Sequence, residues 1–319
     1  MLPDYQVWIT PKYRMDHYIQ TLQERSRVNY NLRTFLQEHS YLEVDVPVLV
    51  PSLIPESYLD TFSTTFIAPH MKPVPAYLTA SPEAYLKRLL SMGIHRNLFY
   101  LGKAFRNNEP MDGVHNHEFT ILEWYRLCPD YEAFMQETEA MLKAVMPPAY
   151  TDTPWERISM EEAFRKFVPA SELKGKTFDS LSSDRFTQLY VQYLEPNMGT
   201  RGTPTFLMDF PAIQSPLSAS KNGIAQRFEL YLNGIELVNG CAELGDGAAL
   251  EQNLAEEIRI RSELKKSSII PDQGFIDAMK NGIPPCCGAA MGIDRLLMVM
   301  GGYQKLSDVI LFPSSKLFS

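Results

Sequence analysis

The sequence has few cysteines, no long apolar run and no secretion signal, and each absence excludes a class of protein. The 319 residues include four cysteines, which are Cys128, Cys241, Cys286 and Cys287. Their spacing does not supply the paired ligands of a structural zinc site, so we expect reduced thiols in a cytoplasmic protein. No stretch approaches the roughly 18 apolar residues of a membrane span, and the N-terminus lacks a signal-peptide layout. We therefore expect no membrane partner.

Concentrated positive charge is also missing. The chain has 30 Lys and Arg against 38 Asp and Glu, which gives a formal net charge of −8 at pH 7. No run of Lys or Arg is longer than two residues. Because proteins that grip a phosphate backbone normally present a basic surface, this charge does not favour nucleic-acid binding. The hydrophobic content of 45% is ample for a large core.

The most informative segment that is present runs from Phe105 to Tyr125 and reads FRNNEPMDGVHNHEFTILEWY. The apolar runs LFYLGKAF before its polar part and FTILEW after it are rich in residues that favour strands. The connection between them carries one Arg, two Glu, two His and three Asn. It is either a solvated hairpin loop or a binding loop, and two further segments favour the second interpretation. Without a nearby cysteine, His115 and His117 do not indicate zinc.

The second segment, RFELYLNGIELVNGCAEL, spans residues 227–244. Its Asn-Gly pair at 233–234 between two apolar runs predicts a β-hairpin with a type I′ turn. Glu236 lies between two apolar residues of the second run. A carboxylate buried in such a strand needs a compensating Mg²⁺ or ammonium group. Three carboxylates recur here at intervals of seven residues, namely Glu229, Glu236 and Glu243.

The third segment, GAAMGIDRLLMVMGG at residues 288–302, predicts a small-residue strand that runs into an apolar helix. In this order the three segments resemble motif 2, the acidic strand and motif 3 of class II aminoacyl-tRNA synthetases. The lysine branch is the most similar: HNHEFTILEWY resembles HNPEFT-x-x-E-x-Y, GIELVNGCAEL resembles E-x-x-NG-x-x-EL, and GIDRLLM resembles G-[IV]-DRL. The resemblance implies an α+β fold in which helices flank an antiparallel sheet.

Further segments extend this resemblance along the chain. RVNYNLRTFLQEHSYLEVDVPVL at Arg27–Leu49 resembles motif 1, a helix and strand that build the homodimer interface in the family. DVILFP at Asp308–Pro313 resembles the family's last strand. We expect an N-terminal extension at residues 1–24 and a catalytic domain at 25–319. Stretches rich in Pro, Gly or Ser at 146–154 and 195–204 bracket an expected insertion at about 150–200.

The expected N-terminal extension is too short for one domain of the lysine branch. Lysyl-tRNA synthetases carry an oligonucleotide-binding barrel before the catalytic domain, and two dozen residues cannot form it. We therefore expect no anticodon-binding domain and, since the net charge is acidic as well, no stable tRNA binding. The segment YLEPNMG at Tyr193–Gly199 resembles the EPN-x-G signature of the elongation factor P–(R)-β-lysine ligase family. That resemblance implies an ATP-dependent ligase that activates (R)-β-lysine as an aminoacyl-adenylate and transfers it to a lysine side chain of elongation factor P.

The same resemblance implies a site for ATP and Mg²⁺. Adenylate formation brings a carboxylate to the α-phosphate, and a bidentate arginine that touches both anions relieves their repulsion. Arg106 is expected to do this, while Arg295 is expected to bind the γ-phosphate; both are the candidate catalytic residues. Glu229 and Glu236 are expected to hold Mg²⁺. Phe119 is expected to stack on adenine, and the other expected ATP contacts are Asn107, Asn108, Glu109, His115, Asn116, Glu236, Leu237 and Gly292.

The expected amino-acid pocket is acidic, which suits lysine or β-lysine. A buried ammonium group needs a carboxylate partner, because its desolvation otherwise opposes binding. Ala290 stands where lysyl-tRNA synthetases have glycine, and its methyl group would crowd an α-amine but not a β-amine. The residues expected to bind this substrate are Ser81, Glu83, Glu123, Tyr125, Asn239, Glu243 and Ala290.

Some positions depart from the lysine-branch pattern. The run at residues 106–109 is one residue longer than the family's R-N-E, so either Asn108 or Glu109 fills the acidic position. His117 replaces the family's proline, and Cys241 stands where an aromatic residue is common. Two other functions stay open: an aminoacyl ligase for a different acceptor, and a non-catalytic regulatory protein. Retention of the ATP and Mg²⁺ residues argues against the latter.

Overall fold

The computed structural model describes residues 12–128, 130–215 and 217–319, so residues 1–11 of the expected extension and two prolines lie outside the described residues. Side chains are described from residue 16 onward, except that of residue 179. The α-helices are α1 Lys12–Glu38, α2 Glu83–Ser91, α3 Tyr131–Lys143, α4 Pro148–Thr151, α5 Met160–Phe167, α6 Ala170–Leu173, α7 Ser183–Leu189, α8 Gly247–Glu263, α9 Gln273–Asn281, α10 Ile293–Met300 and α11 Ser314–Leu317.

Within the described part of the chain, the strands form two sheets, of nine and three strands. The strands are β1 Leu42–Glu43, β2 Leu49–Val50, β3 Ser63–Phe66, β4 Val74–Leu78, β5 Leu98–Phe105, β6 Glu118–Arg126, β7 Glu156–Ser159, β8 Thr205–Pro211, β9 Ser220–Lys221, β10 Ile224–Leu232, β11 Ile235–Ala242 and β12 Cys287–Gly292. The large sheet has the order β1-β5-β6-β12-β11-β10-β8-β7, with β9 paired to β10, and the small one is β2-β4-β3. All pairs are antiparallel except β1–β5 and β7–β8. The predicted α+β fold is confirmed.

The three polar segments supply the centre of the large sheet. The predicted strands on either side of the 105–118 connection are β5 and β6, which pair along their whole length. The predicted hairpin of β10 and β11 turns at Asn233 and Gly234, whose φ angles of 52° and 75° are those of a type I′ turn. The third segment forms β12 and α10, as predicted. The third segment's strand β12 thus lies between the strands of the other two segments, in the order β6-β12-β11-β10.

The large core lies on one face of this sheet, beneath α1, α3 and α10. Leu122 and Trp124 of β6 contribute to it, together with Leu32 of α1, Phe134 of α3 and Leu297 of α10. Side chains alternate across a strand. Residue 123, between Leu122 and Trp124, and residue 125, after Trp124, therefore face the opposite side of the sheet. The opposite face of the central strands is therefore free to carry polar side chains.

The middle of the chain, residues 148–204, packs against the outer strands of the same sheet. Its helix α5 begins with a capping box between Ser159 and Glu162. A second apolar cluster joins Phe164 and Phe186 of this segment to Leu207 of β8 and Tyr231 of β10. The segment therefore shares its core with the sheet that carries the catalytic motifs.

Two features around motif 1 and the C-terminus differ from the expected layout. Helix α1 continues through residue 24, so the boundary expected between 24 and 25 falls inside a helix, and the strand that follows has only two residues. The strand expected at Asp308–Pro313 is absent, and that prediction is wrong. A 3₁₀ turn covers Leu306–Asp308, and the Ile310 amide donates back to the Leu306 carbonyl at 2.7 Å. Amides engaged in a turn are not available to a ladder. No helix among the described residues is long and apolar enough to cross a membrane.

Candidate active site

One cavity of about 590 Å³ opens on the face of the sheet opposite the large core. Directly paired residues of antiparallel strands project to the same side, and two cross-strand rows of such pairs form its floor. The first row, across β6, β12, β11 and β10, is Glu123, Ala290, Asn239 and Glu229. The second row, across the same strands, is Tyr125, Gly288, Cys241 and Arg227. All eight residues line the cavity, so strand register alone brings residues from three motifs together.

The expected amino-acid pocket is built around Glu123, whose side chain is buried. Its carboxylate accepts hydrogen bonds from Ser81 Oγ at 2.7 Å and from the Tyr125 hydroxyl at 3.0 Å. Ser81 Oγ also accepts from the Glu83 amide at 3.0 Å, which places Glu83 at the start of α2. Burial, assisted by the nearby charge of Glu83, raises the pKa of Glu123 to about 8. The structure thus brings these four predicted residues together.

A cation that sequence reasoning missed lies among these carboxylates. Lys87 Nζ is 2.6 Å from Glu83 Oε1 and 2.6 Å from Glu243 Oε2, and its side chain is only 2% exposed. Burial alone would lower the pKa of Lys87, but attraction to Glu243 and Glu83 outweighs it and raises the pKa well above its usual value. Glu83 and Lys87 are four residues apart on one helix, and that spacing could have indicated the ion pair between them. It could not have indicated the pair with Glu243.

The glycine of the second row leaves space for the pocket's side chains. A Cβ on Gly288 would approach Glu243 Oε1 and Tyr125 Cε1 to 2.5 Å each, well inside van der Waals contact. Ala290, two residues farther along β12, is half-buried and lies between Glu123 and Asn239. Gly288 therefore leaves room for the side chains of Glu243 and Tyr125, and Ala290 places a methyl group on the floor of the pocket.

At the other end of the cavity, Arg106 presents a buried donor. Its Cζ lies 5.2 Å from the centroid of the Phe119 ring. Its Nε is buried and has no hydrogen-bond partner among the described residues. A buried donor without an acceptor is costly, and an anionic ligand would supply one. Both Arg106 and Phe119 line the cavity.

Arg295 connects motif 3 to the motif 2 loop. Its NH2 group lies 3.0 Å from His115 Nε2, and its NH1 group lies 3.6 Å from Glu236 Oε2. Because arginine only donates, His115 Nε2 must accept, and the ring proton then resides on Nδ1, 2.9 Å from Asp112. Burial and the charge of Glu229 raise the pKa of Glu236, and Arg295 opposes that shift. Leu237 and Gly292 also line this end.

The extra residue in motif 2 is accommodated outside the cavity. Asn107 donates its amide to the Asp60 carbonyl at 2.8 Å, and Asn108 Nδ2 donates to Asp60 Oδ2 at 3.0 Å. Asn108 adopts a left-handed conformation with φ of 57°, which asparagine tolerates. Neither asparagine lines the cavity, in contrast to the expectation, whereas Glu109 does. The structure therefore favours Glu109 for the acidic position.

Asn116 lines the cavity, but its amide is engaged elsewhere. Its Oδ1 accepts from the Ser314 amide at 2.8 Å, and its Nδ2 donates to the Glu118 carbonyl at 2.5 Å. This side chain therefore holds the C-terminal segment against the motif 2 loop. Its expected contact with ATP would use the remaining Nδ2 proton or the second lone pair of Oδ1.

Glu229, one of the two expected metal ligands, already has four donors. Its Oε2 accepts from the hydroxyls of Tyr190 and Tyr231, and its Oε1 accepts from Arg227 and from Asn239 Nδ2. A carboxylate offers about four lone-pair positions, so this arrangement leaves none for a metal ion. Arg227, Glu229 and Tyr231 alternate along β10, and that alternation could have indicated a shared face. Tyr190 comes from the distant middle segment and gave no such signal.

Metal binding in this cavity would depend on the ligand's own oxygens. Within residues 12–128, 130–215 and 217–319, no three His, Cys, Asp or Glu side chains are grouped as a metal site. Glu236 lines the cavity and faces one arginine at 3.6 Å. Mg²⁺ commonly binds one or two carboxylates together with substrate phosphates and water. Glu236 fits that pattern, and Glu229 in its present contacts does not.

Comparison with known proteins identifies the family of this chain. Residues 9–316 match the family described as tRNA synthetases class II (D, K and N). The chain is 36% identical over 316 residues to the elongation factor P–(R)-β-lysine ligase of Hamiltonella defensa, covering 92% of this chain and 95% of that protein. Ligases of the same name from Yersinia enterocolitica and Salmonella typhimurium are each 34% identical, with the same coverage. The chain belongs to the class II tRNA synthetase family and, within it, to the elongation factor P–(R)-β-lysine ligases.

Proposed function

We propose that this protein is an ATP-dependent ligase that activates (R)-β-lysine as an aminoacyl-adenylate and transfers it to a lysine side chain of elongation factor P. One observation carries the proposal: a single cavity joins a buried acidic pocket to an end that presents Arg106 and Arg295. Such a cavity can bind a diammonium acid and a polyphosphate side by side. The names of the relatives support the identity of the amino acid and the acceptor.

In the first step, the acidic pocket orients the amino acid. The ammonium groups face Glu83, Glu123 and Glu243, so the carboxylate extends toward Arg106. A carboxylate oxygen attacks the α-phosphorus of ATP, and the bond to the bridging oxygen breaks to release pyrophosphate. Arg106 offsets the charge that builds between the two anions, and Arg295 binds the departing phosphates.

In the second step, the amine of the acceptor lysine attacks the carbonyl carbon of the adenylate. The bond to the phosphate oxygen breaks, AMP leaves with the electron pair of that bond, and the attacking amine loses one proton to water. Both steps require that reacting groups be held close and in line. The floor of rigid paired strands meets that requirement without a flexible element beneath the substrate.

We propose that Glu236 would bind Mg²⁺ together with the phosphate oxygens of ATP. A bound Mg²⁺ would neutralise phosphate charge when present. We propose a different role for Glu229: it fixes Arg227 and Asn239 on the cavity floor through the contacts described above. Asn107 and Asn108 are proposed to shape the motif 2 loop through Asp60 rather than to bind ATP.

The assembly and location are also proposals. Helix α1 exposes Ile19, Leu22 and Tyr30, and an apolar surface on the motif 1 helix suits a homodimer interface. Cys128, Cys241, Cys286 and Cys287 are free thiols, which fits a cytoplasmic enzyme. The acidic net charge of −8 supports an acceptor other than tRNA.

ATP–pyrophosphate exchange tests the proposed activity without an acceptor. We expect exchange that requires Mg²⁺ and (R)-β-lysine, proceeds with α-lysine less efficiently, and needs no nucleic acid. Norleucine, which lacks the side-chain ammonium group, serves as the matched control and should not support exchange. Equal exchange with norleucine would reject the diamine pocket, and absence of exchange with every amino acid would reject the ligase.

A further inference from the structure

Lys87 has no role in the activity described so far, although it touches two of the three carboxylates in the amino-acid pocket. Its ammonium group bridges Glu83 on its own helix and Glu243 at the end of the β10–β11 hairpin. It also lies 5.9 Å from the centroid of the Tyr125 ring. Lys87 therefore contacts residues from three separate elements around one pocket.

The charge of the pocket shows what Lys87 does there. Glu83, Glu123 and Glu243 would together carry three negative charges, and Lys87 cancels one of them. The two charges left equal the number of ammonium groups on a lysyl or β-lysyl moiety. Lys87 thereby opposes the protonation that burial and the charge of Glu83 favour at Glu123 and Glu243.

We propose that Lys87 is the internal cation of this pocket, a positioning residue that offsets one of its carboxylate charges and aligns Glu83 with Glu243 so that the pocket accepts a diamino acyl group. This inference rests on the proposed function and identifies the residue that matches the pocket's charge to its substrate. Lys87 acts through the two glutamates. A neutral replacement should therefore alter how the pocket titrates as well as how it binds.

Every ionisable group that faces Lys87 bears on that titration. Burial and the charge of Glu83 raise the pKa of Glu243, and Lys87 opposes the shift. Lys87 also opposes the increase of the Glu123 pKa. Burial raises the pKa values of the neighbouring phenol and thiols above their usual range, so these groups stay neutral; they are Tyr125, Cys241 and Cys286. The carboxylates are therefore the groups whose charge depends on Lys87.

Lys87→Met tests the inference, since methionine fills similar space without charge. We expect KM for β-lysine in pyrophosphate exchange to rise on the order of 10- to 100-fold at pH 7, with KM for ATP within about twofold of wild type. The acidic limb of kcat/KM for β-lysine should move to higher pH, because the unpaired carboxylates then need a higher pH to ionise. Lys143→Met is the matched control: Lys143 also pairs with a glutamate four residues away at 2.6 Å, but it is partly exposed and lies outside the cavity.

A second variant keeps the test valid if Lys87→Met folds poorly. Lys87→Met/Glu83→Gln removes one positive and one negative charge, so fewer buried carboxylates lack a partner. The factor by which kcat/KM for β-lysine falls in the double variant should be smaller than the product of the factors in the two single variants, because the residues act as a pair. An unchanged acidic limb with KM values for β-lysine and ATP altered alike, or strict additivity in the double variant, would overturn the inference. Wild-type protein without diamine-dependent exchange would instead reject the proposed function.

Discussion

The hydroxyl of Tyr125 donates to Oε1 of Glu123 at 3.0 Å, and both side chains project from β6 into the cavity. Residues that are two positions apart on a strand face the same side, so this contact follows from local geometry. It supplies one of the hydrogen bonds that oppose the high pKa of the buried Glu123 carboxyl. The pair is therefore both a binding element and a pH-sensitive one.

Substitutions in this pocket should impair amino-acid use more than ATP use. Glu243→Gln removes a carboxylate partner of a buried ammonium group and should cost on the order of 2–5 kcal/mol in kcat/KM for β-lysine. Tyr125→Phe removes one hydrogen bond to Glu123 and should cost about 1–3 kcal/mol. KM values for both substrates in pyrophosphate exchange check this. Normal use of β-lysine with impaired use of ATP would show that the pocket is assigned to the wrong end of the cavity.

Binding of β-lysine should release a proton. The pKa of Glu123 in the free protein is about 8, so this carboxyl is mostly protonated at pH 7. A substrate ammonium group favours the ionised form and lowers that pKa in the complex, so the proton goes to the buffer. Calorimetry at pH 7 in buffers of different ionisation enthalpy should show release that approaches one proton per site and declines above pH 8. The release should be lost in Glu123→Gln, and binding heats independent of the buffer in the wild type would contradict this account.

Removal of either cavity arginine should slow adenylate formation. Arg106→Ala and Arg295→Ala should each lower pyrophosphate exchange by about 100- to 1000-fold, the usual effect of losing one preorganised donor to the transition state. Arg259→Ala, at an exposed ion pair on α8, is the control and should leave exchange unchanged. Wild-type exchange in either cavity variant would remove that arginine from the catalytic site.

Ala290 should set the preference between lysine isomers. If its methyl group occupies the space that an α-amine needs, Ala290→Gly should shift the ratio of kcat/KM toward α-lysine by about 10- to 200-fold. Ala289→Gly removes a methyl group from the opposite, core-facing side of β12 and controls for lost packing. A ratio that stays at its wild-type value in Ala290→Gly would assign Ala290 to packing alone.

Local patterns in the sequence were sufficient for the centre of the sheet. Apolar strands around a polar connection gave β5 and β6, and an Asn-Gly pair gave the β10–β11 turn. Of the residues that the family resemblance assigned to the site, all but Asn107 and Asn108 line the cavity. Glu109 could not be chosen over Asn108 from spacing, because that choice depends on a left-handed residue tied to Asp60.

Contacts between distant segments account for what sequence reasoning missed. In the sequence, Lys87 has the spacing of an ordinary surface partner of Glu83. Only the fold brings Glu243 beside it. Glu229 reads as a free ligand until Tyr190, nearly 40 residues away, donates to it. Helix α1 extends beyond the motif 1 pattern because helix formation depends on packing as well as on the motif, and its Arg25 reaches Asp294 at 2.6 Å.

The most direct test of the central claim is the intact mass of elongation factor P after incubation with this protein, ATP, Mg²⁺ and (R)-β-lysine. We predict that the acceptor gains the mass of one lysyl unit, that the gain maps to a lysine side chain, and that Arg106→Ala abolishes it. A parallel reaction with tRNA and α-lysine should give little aminoacyl-tRNA. Unmodified elongation factor P in a preparation that carries out β-lysine-dependent pyrophosphate exchange would contradict the proposed acceptor, and efficient tRNA charging would identify a synthetase instead.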